Sequence, residues 1–415
     1  MSNSSLILIN IKQLVGILPA DKIKISGDQM NKLNTLENAF LEITNEKISG
    51  FGLMNELNIK DNDNIIDLSG KVVLPSWNDS HTHLVFAGTR EKEFIDRING
   101  LSYEEIAERG GGILNSANLL ENTSENDLFD SASRRLEEVI KMGTGAIEIK
   151  SGYGLSIDGE LKMLRVIQRL KEAYNIIIKS TFLGAHAVPK EYKNNKDGYM
   201  DLVINEMLSK VVSEELADYV DIFCEKGYFT IEDTKRLLEA AKKYGIQGKT
   251  HVNQFNSIGG VQASVELGAL SVDHLEEMRE EDYIALKDSD CMPTILPSCS
   301  FFLSIPYGPA KRMIENGLPV ALASDYNPGS TPSGNMNFVA SLGCIQMKMT
   351  PEQVINATTI NTAYAMGLEK EVGSICIGKR ANIFITKDIP SYSYLPYSFG
   401  ENVIDKVILN GKVIV

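Results

Sequence analysis

The feature that most constrains this chain is a repeated change of period between residues 75 and about 365. Short apolar runs of strand length alternate there with longer segments whose apolar residues recur at helical spacing. The strand-like runs fall at residues 144–149, 176–183, 219–223, 246–251, 269–273, 292–296 and 320–324, with one more ahead of His81 that is entered from the apolar run Val72-Val73-Leu74. Between them, Leu128, Leu136, Val139 and Ile140 mark one helix, opened by the capping-box-like Ser124-Glu125-Asn126-Asp127 and stopped by Gly143. Leu161, Leu164, Ile167 and Leu170 mark another, and Pro309 and Pro351 stand where helices begin. Eight strands alternating with helices predict an α/β chain built on a (β/α)8 TIM-like barrel.

Both ends have a different texture. Residues 1–74 carry strand-like runs at 6–9, 39–43, 47–52 and 65–68, without a helix of convincing period. Residues 366–415 carry two more, at 378–385 and 407–414, the second with Asn410-Gly411 between apolar runs as a hairpin signal. Neither end has enough strands to close a core. The expectation is a small β-sandwich domain formed from both chain ends, 1–74 and 366–415, around a barrel at 75–365.

Charge and cysteine usage exclude several classes. With 41 Lys and Arg against 55 Asp and Glu, the net charge of −14 disfavours a nucleic-acid partner. No apolar run is long enough to span a membrane, and Met1-Ser2-Asn3-Ser4-Ser5 followed by a short apolar stretch does not read as a signal peptide. The five cysteines, without a Cys-x-x-Cys pair, read as free thiols in a reducing compartment, so a cytoplasmic protein is expected.

Barrel chemistry gathers at the C-terminal ends of the strands. The chain has only five histidines, and each falls at such an end: His81 and His83 after strand one, His186 after strand three, His251 at strand five and His274 at strand six. Asp325 ends strand eight. His81 and His83, two apart, point to one face of a strand and can share a ligand. His81, His83, His251 and Asp325 are therefore expected to hold one Zn²⁺ or Fe ion with a position left for water. Such an ion acidifies water and polarises a carbonyl. Asp325 would then take the water proton, and His274 would position the water or stabilise an oxyanion. Strand four reads Asp221-Ile222-Phe223-Cys224-Glu225-Lys226, with no Lys at its end to bridge two metals, and Lys150 ends strand two, so a single ion is expected.

Other residues sit on the same rim. Arg90 could hold a carboxylate bidentately, or pair with Glu91 or Glu93. Tyr153, between glycines in Lys150-Ser151-Gly152-Tyr153-Gly154-Leu155, reads as part of an exposed turn. Asn327-Pro328-Gly329-Ser330 offers N–H groups and a hydroxyl to an anion, or forms an ordinary turn.

The strand-one His-Thr-His, the single histidines on strands five and six, the strand-eight Asp and the split β domain resemble the metal-dependent amidohydrolase superfamily. Within it, the chain is similar to the imidazolonepropionase family. That likeness rests on residues 81–90, Gly110-Gly111-Gly112-Ile113, residues 150–155, Phe223-Cys224-Glu225 and Asp325-Tyr326-Asn327-Pro328-Gly329-Ser330. The resemblance implies hydrolysis of the cyclic amide of 4-imidazolone-5-propanoate to N-formimidoyl-L-glutamate in histidine degradation. It implies Arg90, Tyr153, His186, Gln254 and Ser330 as substrate contacts, Asn327 and Gly329 near the product carboxylates, and a homodimer. Two positions depart from the family pattern: His251-Val252-Asn253-Gln254 stands where His-Ala-Asp and then Glu or Gln is usual, and Ser330 stands where Thr is usual. The rival readings are a heterocycle deaminase or cyclic-imide hydrolase with the same metal, and a metal-binding scaffold without activity.

Overall fold

The computed structural model describes residues 5–59, 64–101, 105–106, 109 and 111–415; Met1 to Ser4 and Gly110, which the sequence reading used, lie outside them. The N-terminal strands are β1 (Ser5–Val15), β2 (Thr35–Thr44), β3 (Lys47–Leu53), β4 (Asn64–Asp67) and β5 (Lys71–Pro75). The barrel strands follow as β6 (Trp77–Thr82), β7 (Thr144–Lys150), β8 (Ile177–Ala185), β9 (Tyr219–Cys224), β10 (Gln247–Gly248), β11 (Thr250–Val252), β12 (Ser271–His274), β13 (Met292–Ile295) and β14 (Ala321–Leu322). The chain ends in β15 (Ile383–Asp388), β16 (Ile404–Leu409) and β17 (Lys412–Val413).

β6 to β14 pair in parallel and in chain order, with β10 and β11 the two halves of one interrupted strand. The ring closes where Asp325 N donates to His81 O at 2.9 Å and His83 N donates to Tyr326 O at 2.8 Å. Closure thus lays Asp325 directly beside the His-Thr-His segment. Helices cover the outside, including Glu125–Lys141, Ile157–Ala173 and Ile231–Lys243.

The second sheet runs β17-β16-β15-β5-β1-β2-β3, with β4 against the outer part of β1, so it joins both chain ends. Its two faces follow the strand period of two. Val73 packs with Leu8, Leu41, Ile383 and Ile408 in the sheet's own core, whereas Val72 and Leu74 join Trp77 and Phe384 in the large core beneath the barrel. The run Val72-Val73-Leu74 therefore belongs to this sheet, not to the strand that carries the histidines. The first barrel strand is instead Trp77–Thr82, polar in composition yet buried at every position. The expectation of an apolar lead-in failed because the inside of this barrel is itself polar.

Local signals behave as their chemistry requires. Asn410 and Gly411 take φ of 47° and 70°, the left-handed pair that a two-residue hairpin between β16 and β17 demands. Pro351 is the first residue of Pro351–Thr358, while Pro309 stands one residue ahead of Ala310–Glu315. Ser124 caps its helix by accepting from Asp127 N at 3.1 Å, but the Asp127 carboxylate accepts from the Ser124 hydroxyl at 2.6 Å, so the reciprocal half of a capping box is not made. No helix among the described residues is long and apolar enough to cross a membrane. All five cysteines are unpaired.

Candidate metal centre and active-site cleft

Strand pairing brings the histidines together. His81 lies in β6, His83 just past it, and His251 on β11; their donor nitrogens lie within 4.8 Å of one another. Asp325 Oδ1 stands 3.7 Å from His81 Nε2 and 3.8 Å from His83 Nε2. Two imidazoles are held from behind through Nδ1, His81 by Asp273 Oδ2 at 2.7 Å and His83 by the Ser151 carbonyl at 3.3 Å, while Asp221 accepts from the backbone N–H of His251 at 3.2 Å and stands 2.9 Å from its Nδ1 without hydrogen-bond geometry. On His81 and His83 these acceptors place the proton on Nδ1 and leave the Nε2 lone pairs pointing inward. Burial first, with neighbouring cationic groups adding to it, holds His81 and His83 well below the usual imidazole range, so both stay neutral. Nε2 of His81 and both ring nitrogens of His251 have no hydrogen-bond partner among the described residues. Buried lone pairs facing one another beside a carboxylate are costly unless something accepts them. A cation with nitrogen and oxygen ligands fits that arrangement.

Behind the histidines lies a layer of charge that sequence reading missed. Lys150 Nζ donates to Glu148 Oε1 at 2.7 Å and Asp221 Oδ2 at 2.8 Å, and lies 3.7 Å from Asp273 Oδ2. Lys249 Nζ bonds Glu148 and the Ser80 carbonyl. Burial opposes the charge on Lys150, but Asp221, Glu148 and Asp273 outweigh it and raise its pKa. One ammonium therefore braces the two carboxylates that stand behind His81 and His251. Cys224, at the end of β9, is buried, and its thiol is pushed up to about 11 by that burial.

The cluster floors a cleft at the C-terminal rim of the barrel. Its walls include Arg90, Tyr153, His186, Gln254, His274, Asn327, Gly329 and Ser330, so the residues expected at the site converge there. His186 Nδ1 lies 3.0 Å from the Gly152 carbonyl, which can only accept, so Nε2 is an acceptor. Burial, with His251 adding to it, lowers its pKa to about 3. Tyr153 is not in an exposed turn: it is buried, its ring 5.6 Å from His83 and 5.5 Å from His186. Arg90 combines both readings given above, since Glu93 pairs with its Nε at 2.8 Å and its NH2 at 2.6 Å while the buried guanidinium lines the cleft. The N–H groups of Gly329 and Ser330 both donate to Asn327 Oδ1, at 2.8 and 2.7 Å, so this stretch is a side-chain-stabilised turn and those two amides are committed within it. The Ser330 hydroxyl donates to Asp325 Oδ2 at 3.1 Å.

Residues 72–414 match the amidohydrolase family. Imidazolonepropionase of Christiangramia forsetii is 61% identical over 99% of this chain and 100% of its own length. Imidazolonepropionase of Flavobacterium johnsoniae is 58% identical, covering 98% of each chain. The chain belongs to the imidazolonepropionase family of amidohydrolases. Among solved structures, a zinc-containing adenosine deaminase from Xanthomonas campestris superposes with a TM-score of 0.72 at 14% identity, over 98% of this chain and 92% of its own. Escherichia coli guanine deaminase gives 0.72 at 12% identity, over 100% and 99%. These two share the fold.

In this imidazolonepropionase family member the rim loops are tied down by buried acids, a role the sequence reading gave to none of them. Glu160 accepts from the N–H groups of Gly152, Gly154 and Leu155, at 3.1, 2.8 and 2.9 Å, and so fixes the loop that carries Tyr153. Glu225 accepts from Phe255 N and Asn256 N, at 3.0 and 3.2 Å, next to Gln254. Glu93 holds Arg90 and also accepts from Gly112 N at 3.1 Å. The departure at Asn253 has a local reason. It sits at φ 57°, a left-handed conformation that Asn tolerates, and its amide donates to Asp282 Oδ2 at 3.0 Å, away from the cleft. Phe223, Tyr228, Phe255 and Leu303 complete the walls. Of these, Tyr228, Phe255 and Leu303 left no signal in the sequence beyond being apolar or aromatic near a strand end.

Proposed function

We propose that this chain hydrolyses the cyclic amide of 4-imidazolone-5-propanoate to N-formimidoyl-L-glutamate, using one Zn²⁺ or Fe ion held by His81, His83, His251 and Asp325. The observation that carries the reading is the position of Arg90, a buried guanidinium in the wall of the same cleft that the three imidazoles and Asp325 floor. That pairing suits a substrate with a hydrolysable carbonyl at one end and a carboxylate at the other. Full-length identity to imidazolonepropionases supports it. When bound, the ion polarises the lactam carbonyl and lowers the pKa of water beside it.

The protein's own groups account for the rest. Arg90, pinned by Glu93, receives the propionate. His186 Nε2 accepts from a ring N–H, and the Gln254 amide and Tyr153 bound the ring plane. Asn327, Gly329 and Ser330 form the wall that meets the product carboxylates. Asp325 takes a proton from the attacking water as the water oxygen joins the carbonyl carbon. The ring C–N bond breaks, and the nitrogen leaves with a proton that came from that water. His274 stabilises the oxyanion, raised toward its charged form by Glu276, Asp325 and Asp273 against the opposing effect of burial.

Substrate preference tests the reading. Purified protein supplied with zinc or iron is expected to convert 4-imidazolone-5-propanoate to N-formimidoyl-L-glutamate and to release no ammonia from guanine or adenosine. Ammonia release from a heterocyclic amine without turnover of the imidazolone overturns it in favour of a deaminase.

A further inference from the structure

A second group of metal-ligating side chains lies beside the first. His274, at the end of β12, Glu276 two residues on, and Cys299, in the helix Pro297–Leu303, are all buried, with donor atoms within 4.8 Å of one another. His274 Nδ1 lies 3.5 Å from Glu276 Oε1, which also accepts from the Ser300 hydroxyl at 3.2 Å. Glu276 Oε2 has no hydrogen-bond partner among the described residues, although the side chain is 0% exposed. An unpartnered carboxylate oxygen in a dry setting is costly, and a cation relieves it.

We propose that His274, Glu276 and Cys299 form a second, inhibitory site for a thiophilic divalent cation of the zinc type. An imidazole nitrogen, a carboxylate oxygen and a sulfur are a donor set that zinc takes readily and that magnesium or calcium does not. Binding breaks the Cys299 S–H bond and forms a sulfur–metal bond, the proton leaving to solvent. The thiolate and Glu276 together then neutralise the added charge. The site opens on the cleft, because His274 lines it and Gln254 Nε2 lies 3.5 Å from Cys299 Sγ. An ion there engages His274 and draws Cys299 away from Gln254, so turnover falls at high zinc while the first ion stays in place.

Cobalt reports the site without reference to the reaction. Metal-free protein is titrated with Co²⁺ while near-ultraviolet absorption and bound cobalt are followed. The first equivalent, bound by nitrogen and oxygen donors, is expected to give no sulfur-to-cobalt charge-transfer band; the second brings the band in. Cys299→Ser is expected to keep the first equivalent and lose the band, and Glu276→Gln to weaken the second equivalent by roughly tenfold or more. Absence of the band at two equivalents, its persistence in Cys299→Ser, or unchanged second-equivalent affinity in Glu276→Gln overturns the proposal. Retention of the first equivalent verifies that each variant is folded.

Discussion

His81 Nδ1 and Asp273 Oδ2 stand 2.7 Å apart, joining the first and sixth strands across the barrel interior. The contact fixes the tautomer of His81 and turns its Nε2 toward His83, His251 and Asp325. A carboxylate behind a metal-binding histidine orients the ring and raises its basicity. Asp273→Asn keeps the shape but gives up the charge, and is expected to weaken metal affinity about 10–100-fold. Competition with a chelator measures this directly. Unchanged affinity would remove Asp273 from the support of the centre.

Lys150 offers a test of the layer beneath. Its ammonium sits among Glu148, Asp221 and Asp273, all at 0% side-chain exposure. Lys150→Met leaves buried carboxylates without their partner, a change that costs about 3–5 kcal/mol in comparable settings. Urea unfolding of the metal-free protein is expected to show a loss of that size, and a loss below about 1 kcal/mol would mean the charges find other partners.

How far the sequence reaches is clear from these two residues. The histidines were readable because only five exist and all fall at strand ends, where a barrel concentrates chemistry. Glu148 and Lys150 alternate on the inner face of β7, but a charge within a short strand looks the same in sequence whether it faces solvent or a polar barrel interior. That ambiguity also explains why Val72-Val73-Leu74 drew the first strand toward itself: an apolar run is the stronger strand signal, and the true strand, Trp77–Thr82, is buried without being apolar. Glu160, which holds the Tyr153 loop, was invisible for a different reason. Glu160 acts on backbone N–H groups several residues earlier, and such bonds depend on loop shape rather than on residue type.

Glu160 is testable through Tyr153. Glu160→Ala removes the acceptor for three backbone N–H groups. Each such bond contributes about 1 kcal/mol or more when the acceptor is charged. The expected outcome is a lowered melting temperature together with a fall of roughly tenfold or more in kcat/KM. Stability loss with unaltered kinetics would show that the loop keeps its shape without the anchor.

Substitution of Arg90 tests whether substrate binding can be separated from metal binding. Arg90→Ala is expected to raise KM for the imidazolone roughly 30-fold, about 2 kcal/mol for a charge-assisted contact, with metal content unaltered. Gly329→Ala probes the same wall from the other side, because a Cβ there collides with the guanidinium that Glu93 holds in place. It should raise KM in the same direction. Steady-state kinetics with metal analysis checks both, and unchanged KM in Arg90→Ala would take Arg90 out of the site.

The most direct test of the central claim is a metal titration of the chelated protein read out by product. N-formimidoyl-L-glutamate formation from 4-imidazolone-5-propanoate should rise from near zero in proportion to added Zn²⁺ or Fe²⁺ and level off at one ion per chain. Full turnover in the chelated protein, or no product once one ion is bound, would contradict the account.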